Sequence, residues 1–113
     1  ARAEAAIAVG VDPRRIVLDP GLGFGKSVEQ NASLIRGISR LIDLGFPVLG
    51  AASRKSFIGR LSDPARDTFS NERLPGTIAA ALALADGGVR LLRVHDVSEH
   101  AAALRVWAAV RAP

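Results

Sequence analysis

The sequence Val48-Leu49-Gly50-Ala51-Ala52-Ser53-Arg54-Lys55-Ser56 passes directly from an apolar run into two cations and two hydroxyls. The same change occurs in Ile16-Val17-Leu18-Asp19-Pro20-Gly21 and in Val89-Arg90-Leu91-Leu92-Arg93-Val94-His95-Asp96. Short apolar runs are typical of buried parallel strands. In α/β proteins the chemistry lies at the carboxyl ends of such strands. The three stretches therefore predict an active-site wall that carries an acid, a lysine and an arginine–histidine pair.

Helical patterns separate and flank these stretches. Apolar residues recur at helical spacing between 28 and 44, Pro75 suits the first turn of a helix that ends near Ala85, and Ser98 suits the N-cap of a last helix. A helix followed by three strand–helix units predicts an α/β fold with parallel strands. No change of composition marks a boundary, so residues 1–113 are predicted to lie in one domain.

The composition narrows the classes of protein that fit. The chain has 113 residues and no methionine, and it begins at Ala1, so we expect a piece of a longer protein. It has no cysteine, which excludes disulfides and fits a cytoplasmic protein. No apolar run approaches the roughly 20 residues of a membrane span. The basic residues behind the net charge of +4 are dispersed, unlike a nucleic-acid-binding stripe. We expect neither membrane nor nucleic acid as a partner.

The glycine-rich segment Gly21-Leu22-Gly23-Phe24-Gly25-Lys26-Ser27 resembles a phosphate-binding loop but departs from both common forms. A Walker loop needs glycine where Pro20 stands, and a dinucleotide fingerprint needs glycine or alanine where Lys26 stands. Two interpretations stay open. The segment is a tight turn in which glycine supplies unusual dihedral angles, or it is a lid whose Phe24 packs on a flat ligand.

The polar residues after the first two runs also admit two interpretations each. Asp19 can form an Asx turn before Pro20, or it can accept two adjacent N–H groups of a planar heterocycle. The cluster Ser53-Arg54-Lys55-Ser56 can begin a helix with surface cations, or it can hold an anionic group with a hydroxyl and backbone amides.

The third run ends in Arg93 and His95, which share one side of the predicted strand because side chains alternate with period two. Together they suit a phosphate or pyrophosphate; the alternative is a surface arginine beside a structural histidine. Asp96 should point the other way, which favours a structural role. His100 lies in the first turn of the last predicted helix and is expected to be solvated.

Four motifs, taken in order, resemble the dihydropteroate synthase family. They are Leu18-Asp19-Pro20-Gly21-Leu22-Gly23-Phe24-Gly25-Lys26, Ser53-Arg54-Lys55-Ser56, Arg73-Leu74-Pro75-Gly76-Thr77 and Arg93-Val94-His95-Asp96-Val97. Their order and spacing match the C-terminal half of that family, and they extend over nearly the whole chain. The resemblance implies a TIM (β/α)8 barrel, of which this chain would be a partial barrel holding the last three parallel strand–helix units.

The resemblance also implies a transferase of folate biosynthesis. The enzyme would condense p-aminobenzoate with (7,8-dihydropterin-6-yl)methyl diphosphate to give dihydropteroate and pyrophosphate. Asp19 and Lys55 would hydrogen-bond the pterin, and Arg93 would lie against the pterin ring. Arg93 and His95 would bind the pyrophosphate.

By the same resemblance, Phe24 and Ser56 would belong to the aminobenzoate site, which sulfonamides also occupy. Mg²⁺ would take part, with its ligand on an earlier part of the enzyme, so no metal ligand is expected in this chain. The parent enzyme is expected to be a homodimer and the isolated chain to be inactive. One departure is visible: where the family usually has glycine, two residues before Ser53, this chain has Ala51.

Two other functions stay open. The first is a related pterin-binding methyltransferase domain, although the Ser-Arg-Lys and Arg-Val-His clusters together count against it. The second is a non-catalytic half-barrel module that binds an anion or serves a structural role. Titration with a pterin pyrophosphate distinguishes these possibilities.

Overall fold

The computed structural model describes residues 2–113 and has its helices and strands in the predicted order. The helices are α1 (Arg2–Ala8), α2 (Val28–Arg36), α3 (Ser39–Ile42), α4 (Ser56–Ser62), α5 (Leu74–Asp86) and α6 (Val97–Arg111). The strands are β1 (Leu49–Gly50) and β2 (Leu91–Leu92), and short 3-10 turns occupy Pro13–Arg15 and Ser70–Arg73. The chain is therefore an α/β fold with parallel strands.

The first apolar run and β2 flank β1 on opposite sides. In the parallel β1–β2 pair, Leu49 faces Leu91 and Gly50 faces Leu92. A single parallel bridge joins Leu18 to Val48. Because all three segments run in the same direction, the polar residues that follow them emerge at one edge of the sheet.

The strands are shorter than predicted. The sequence predicts strands over 15–18, 48–52 and 89–94, but β1 and β2 have two residues each and the first run contributes only its bridge at Leu18. A 3-10 turn ends just before that run, at Arg15, and Pro20 follows it closely. Pro20 and Pro47 have no N–H to donate, so the ladder between these two segments cannot extend.

Two helix boundaries also differ from the prediction. The single helix predicted over 28–44 is divided into α2 and α3 at Gly37, the residue type with the lowest helix propensity after proline. Ser98 is not the N-cap of the last helix, because α6 begins at Val97 with Asp96 at the cap position. The Ser98 hydroxyl contacts Glu99 instead.

The core lies between the sheet and the helices. Gly50 allows α5 to approach β1 closely, because a Cβ at this position would lie 2.8 Å from Cδ1 of Leu84. The buried apolar side chains form one cluster, and its larger members are Leu22, Ile38, Val48, Phe57, Ile58, Leu84 and Val89. Within residues 2–113, no helix combines the length and the apolar character needed to cross a membrane.

The start of α2 shows how local sequence holds an element next to the glycine-rich segment. The Ser27 hydroxyl accepts the backbone N–H of Gln30 at 3.1 Å, and the Gln30 side chain accepts the backbone N–H of Ser27 at 2.8 Å. This capping box fixes where the helix begins. The glycine-rich segment is thereby anchored at its C-terminal end.

Candidate active site

A cleft of about 200 Å³ opens where β1 and β2 end. Its walls consist of Ala51, Ser53, Lys55, Arg93, Val94 and His95. The structure therefore brings together three of the six residues singled out from the sequence, namely Lys55, Arg93 and His95. Ala51, which replaces the glycine expected from the resemblance, contributes to the same wall.

His95 is held by Ser53 across the two strand ends. The Ser53 hydroxyl lies 2.7 Å from Nδ1 of His95, and the backbone N–H of His95 donates to the same oxygen at 3.1 Å. A serine hydroxyl can donate one bond and accept two, so Ser53 can donate its proton to Nδ1 while its oxygen accepts the backbone N–H. In that arrangement the neutral ring carries its proton on Nε2, which can then donate to an anion.

Lys55 joins the cleft to the glycine-rich segment. Its ammonium donates to the carbonyl oxygen of Leu22 and lies 4.4 Å from the centroid of the Phe24 ring. Partial burial lowers the pKa of Lys55, the charge of Asp19 acts in the opposite direction, and Arg93 lowers it further. Such mutual influence requires these charges to lie near one another. The charge of an incoming anion would therefore offset the energetic cost of the partial desolvation of Lys55.

Asp19 forms the Asx turn that one of its two interpretations predicted. Its Oδ1 accepts the backbone N–H of Gly21 at 2.8 Å. Within residues 2–113 its Oδ2 makes no hydrogen bond, and the side chain is exposed. The turn does not consume the second oxygen, so the structural role and a ligand-binding role are compatible.

Phe24 and Ser56, the residues expected at an aminobenzoate site, lie outside the cleft wall. Phe24 is 72% exposed at the tip of the glycine-rich segment, where its ring touches the Lys55 ammonium. Ser56 is exposed and begins α4, directly after Lys55. Both residues are therefore neighbours of Lys55: Phe24 contacts its ammonium, and Ser56 follows it in the sequence.

Two residues that hold the glycine-rich segment were not identified from the sequence. Asn31 is buried, and its side chain accepts the Gly23 N–H at 2.8 Å and donates to the Ser27 carbonyl at 3.0 Å. Lys26 donates to the carbonyl oxygens of Gly21 and Phe24 at 2.8 and 2.9 Å. The apolar periodicity of α2 does not indicate that Asn31 contacts the glycine-rich segment. The position of Lys26 within that segment does indicate that its side chain can reach the neighbouring carbonyl groups.

The expectation that His100 is solvated was wrong. Its side chain is only 3% exposed, and its Nδ1 lies 2.7 Å from the carbonyl oxygen of Asp96. The ring lines a groove whose other walls include Val89, Leu92 and Val94. The sequence favoured a structural role for Asp96, and in the structure its carboxylate forms an ion pair with the guanidinium of Arg54.

A larger groove of about 960 Å³ runs along α2 and α3 and is lined by residues such as Gly25, Ser27 and Arg40. It is more open than the cleft and shares no lining residue with it. The perturbed lysine and the arginine–histidine pair lie in the smaller cleft, which we therefore take as the candidate site.

Comparisons with known proteins show which proteins this chain is similar to. The chain is 46% identical to the dihydropteroate synthase of Neisseria meningitidis serogroup B over 113 residues, which is 97% of this chain and 39% of that protein. It superposes with a TM-score of 0.94 on the dihydropteroate synthase of Xanthomonas albilineans in complex with 7,8-dihydropteroate, at 46% identity. That match covers 99% of this chain and 42% of the other.

A second solved structure gives the same result. Dihydropteroate synthase from Thermus thermophilus in complex with 4-aminobenzoate matches with a TM-score of 0.88 and 47% identity, over 98% of this chain and 43% of the other. The chain spans about two fifths of the length of these relatives. The family described as pterin binding enzyme matches residues 1–95, most of the sequence. This chain therefore belongs to the pterin-binding enzyme family.

Proposed function

We propose that this chain is part of a dihydropteroate synthase. The whole enzyme then condenses p-aminobenzoate with (7,8-dihydropterin-6-yl)methyl diphosphate and releases pyrophosphate, as a transferase of folate biosynthesis. The observation that carries this proposal is the cleft in which Lys55, Arg93 and His95 meet at the ends of parallel strands. Relatives of closely similar fold that bind 7,8-dihydropteroate and 4-aminobenzoate support it.

The proposal includes the finer architecture. The bridge at Leu18, β1 and β2 would be the last three strands of a TIM (β/α)8 barrel, and the helices that follow them would form part of its outer ring. The high structural similarity over only 42% of the Xanthomonas albilineans chain supports a partial barrel. The edge at which the cleft opens would then be the catalytic face.

The residues of the cleft, together with Asp19, Phe24 and Ser56 near it, suit the two ends of a pterin diphosphate and the aminobenzoate. Oδ2 of Asp19 would accept an N–H group of the pterin, and Lys55 would donate to it. Arg93 would lie against the pterin ring and, with Nε2 of His95, bind the diphosphate. Phe24 and Ser56 would border the aminobenzoate, which is also where a sulfonamide would compete.

The chemical step then needs charge stabilisation more than proton abstraction. The bond between the pterin methylene carbon and the diphosphate oxygen breaks, and a bond forms between that carbon and the amine nitrogen of aminobenzoate. The leaving group takes the electron pair of the broken bond, and the amine nitrogen passes one proton to the released pyrophosphate. Arg93 and His95 would stabilise the negative charge that develops on the diphosphate. The loop around Phe24 would exclude water and orient the amine.

Mg²⁺ stays a prediction for the complete enzyme. Within residues 2–113, no group of three or more histidine or acidic side chains is arranged to hold a metal ion. The described residues therefore do not fit a magnesium site by themselves, and no step proposed above depends on the ion. A homodimer and a cytoplasmic location likewise stay predictions.

The deciding experiment uses the full-length protein that contains this segment. We expect it to form dihydropteroate from pterin diphosphate and p-aminobenzoate in the presence of Mg²⁺, with release of pyrophosphate. Binding of the pterin diphosphate without product formation would favour the non-catalytic anion-binding module. Transfer of a methyl group from a methylated pterin, without condensation, would favour the related methyltransferase.

A further inference from the structure

The two strand ends are tied together by consecutive side-chain pairs. β1 and β2 pair with a constant offset of 42 residues, as in Gly50 with Leu92. The same offset continues beyond the strands, where Ser53 pairs with His95 and Arg54 pairs with Asp96. The second of these pairs has no place in the proposed binding of substrate, so its contribution has to be explained separately.

The Arg54–Asp96 pair is a two-point ion pair. Nη2 of Arg54 lies 2.6 Å from Oδ1 of Asp96, and Nε lies 3.1 Å from Oδ2. The side chains are 32% and 14% exposed, so water screens the pair less than a typical surface contact. A fork-to-fork contact fixes orientation as well as distance.

The backbone of Arg54 is held in an unfavourable conformation. Its φ is 58°, and within residues 2–113 it is the only residue other than glycine with a positive φ. An L-residue keeps such a conformation only when its surroundings impose it. Here the Arg54 N–H donates to the hydroxyl of Thr77 at 3.1 Å, and the Arg54 carbonyl accepts from Nη1 of Arg73 at 2.7 Å.

This conformation directs the two neighbours of Arg54 to opposite partners. Ser53 turns back to hold the imidazole of His95, and Lys55 extends to the Leu22 carbonyl and the Phe24 ring. If residue 54 relaxed to a negative φ, the peptide planes on both sides would rotate. Lys55 and His95 would then lose the positions that the structure gives them.

We infer that Arg54 and Asp96 are positioning residues, which orient Lys55 and His95 toward the pterin diphosphate without touching it. Arg73 and Thr77 hydrogen-bond the backbone of Arg54 and so help to hold its conformation. This is the role that we assign to the Arg73–Thr77 motif. This inference rests on the proposed function, because it concerns the affinity and turnover of that substrate.

The test uses the full-length enzyme with Asp96→Asn, which keeps the shape of the side chain and removes its charge. We expect kcat/KM for the pterin diphosphate to fall about tenfold or more, since small misplacements of catalytic groups are costly. The KM for p-aminobenzoate should change much less. Arg54→Lys keeps the positive charge but cannot make both hydrogen bonds to Asp96. It should also lower kcat/KM for the pterin diphosphate.

Asp86→Asn is the matched control. Asp86 accepts from Nη1 of Arg111 at 2.7 Å and from Nε1 of Trp107 at 2.8 Å, so the variant also breaks an ion pair between side chains. Thr77, near the start of α5, contacts the backbone of Arg54, whereas Asp86 is the last residue of the same helix. The contacts of Asp86 therefore lie at the other end of α5, away from the strand ends that form the cleft. The control should lower the melting temperature and leave both KM values unchanged.

The outcomes separate the inference from the proposed function. A wild-type enzyme that forms no dihydropteroate would overturn both. If wild type is active and Asp96→Asn behaves like Asp86→Asn, with lower stability but normal kinetics for both substrates, the inference alone is wrong. If Asp96→Asn does not fold, Arg54→Lys decides by the same comparison of the two KM values.

Discussion

Nζ of Lys55 lies 4.4 Å from the centroid of the Phe24 ring. The contact connects the loop that follows β1 to the glycine-rich segment, and the same ammonium donates to the carbonyl of Leu22. A cation over an aromatic face at a partly exposed site contributes about 0.5–1 kcal/mol. Phe24 and Lys55 are therefore coupled, although one was expected at the aminobenzoate and the other at the pterin.

Replacing Lys55 tests its role directly in the full-length enzyme. Lys55→Ala should weaken pterin diphosphate binding strongly, because loss of one well-placed charged hydrogen bond costs on the order of 2–4 kcal/mol in such a site. Calorimetric titration and steady-state kinetics measure the effect. Arg105→Ala, which removes an exposed cation from α6, should bind normally. Near-normal kinetics of Lys55→Ala would overturn the role assigned to this residue.

A second prediction concerns two glycines of the glycine-rich segment. Gly23 and Gly25 both have positive φ, at 85° and 60°, so alanine strains the backbone at either position. They differ in their surroundings: a Cβ on Gly23 would lie 2.6 Å from Cδ of Lys55, whereas a Cβ on Gly25 meets no heavy atom within 4 Å. Gly23→Ala should therefore displace Lys55 and weaken pterin diphosphate binding more than Gly25→Ala.

Equal affinities of these two glycine variants would show that backbone strain alone matters and that the glycine-rich segment does not constrain the Lys55 side chain. The comparison is informative because both substitutions add one methyl group at a position with a positive φ. Isothermal titration of the two full-length variants under identical conditions measures the difference.

The strand-end residues could be predicted from the sequence because the signal is local. Apolar runs followed by polar residues indicate where parallel strands end, and period two puts Arg93 and His95 on one side. The contacts of Arg54 with Thr77 and Asp96 could not be predicted in this way, since they join residues 23 and 42 positions apart. Arginine rarely adopts a positive φ, so the residue type at position 54 does not predict the conformation that Arg54 has in the structure.

The errors in the fold have the same origin. The burial of His100 depends on how α6 packs against the rest of the fold, which the pattern of the helix alone does not reveal. Gly37 is a local signal for the break between α2 and α3, but the apolar periodicity on both sides of it favoured a single helix. Periodicity predicts which face is apolar, but the length of a regular element also depends on its hydrogen-bonding neighbours.

A third prediction concerns acid stability. The hydrogen bonds with Arg54 lower the pKa of Asp96 below its ordinary value of 3.8, with smaller contributions from the charges of Arg54, His100 and His95, whereas burial opposes the shift. The unfolded state then binds more protons than the folded state below pH 3.8. The stabilisation from Asp96 is therefore complete above this pH and is lost as pH falls through the lower pKa of the folded state.

Asp96→Asn should reveal this contribution because asparagine does not titrate. The free energy of unfolding of the variant should be lower than that of wild type near neutral pH, and the difference should shrink as the pH falls below 3.8. Urea unfolding at a series of pH values measures it. A difference that stays constant across the series would contradict the lowered pKa of Asp96 in the folded state.

The last prediction concerns the 113-residue chain alone. A closed barrel of this type needs about eight strands, whereas residues 2–113 contain two strands and one bridge. The outer edges of β2 and of the first run are left without a neighbour, and apolar side chains such as Val17 and Leu91 are exposed. Open edges and exposed apolar surface favour self-association. The chain should therefore be marginally stable or self-associating, and it should not form dihydropteroate.

Light scattering gives its mass in solution, and a condensation assay with Mg²⁺, run beside the full-length enzyme, gives its activity. A well-folded monomer with turnover would show that these strands and helices suffice.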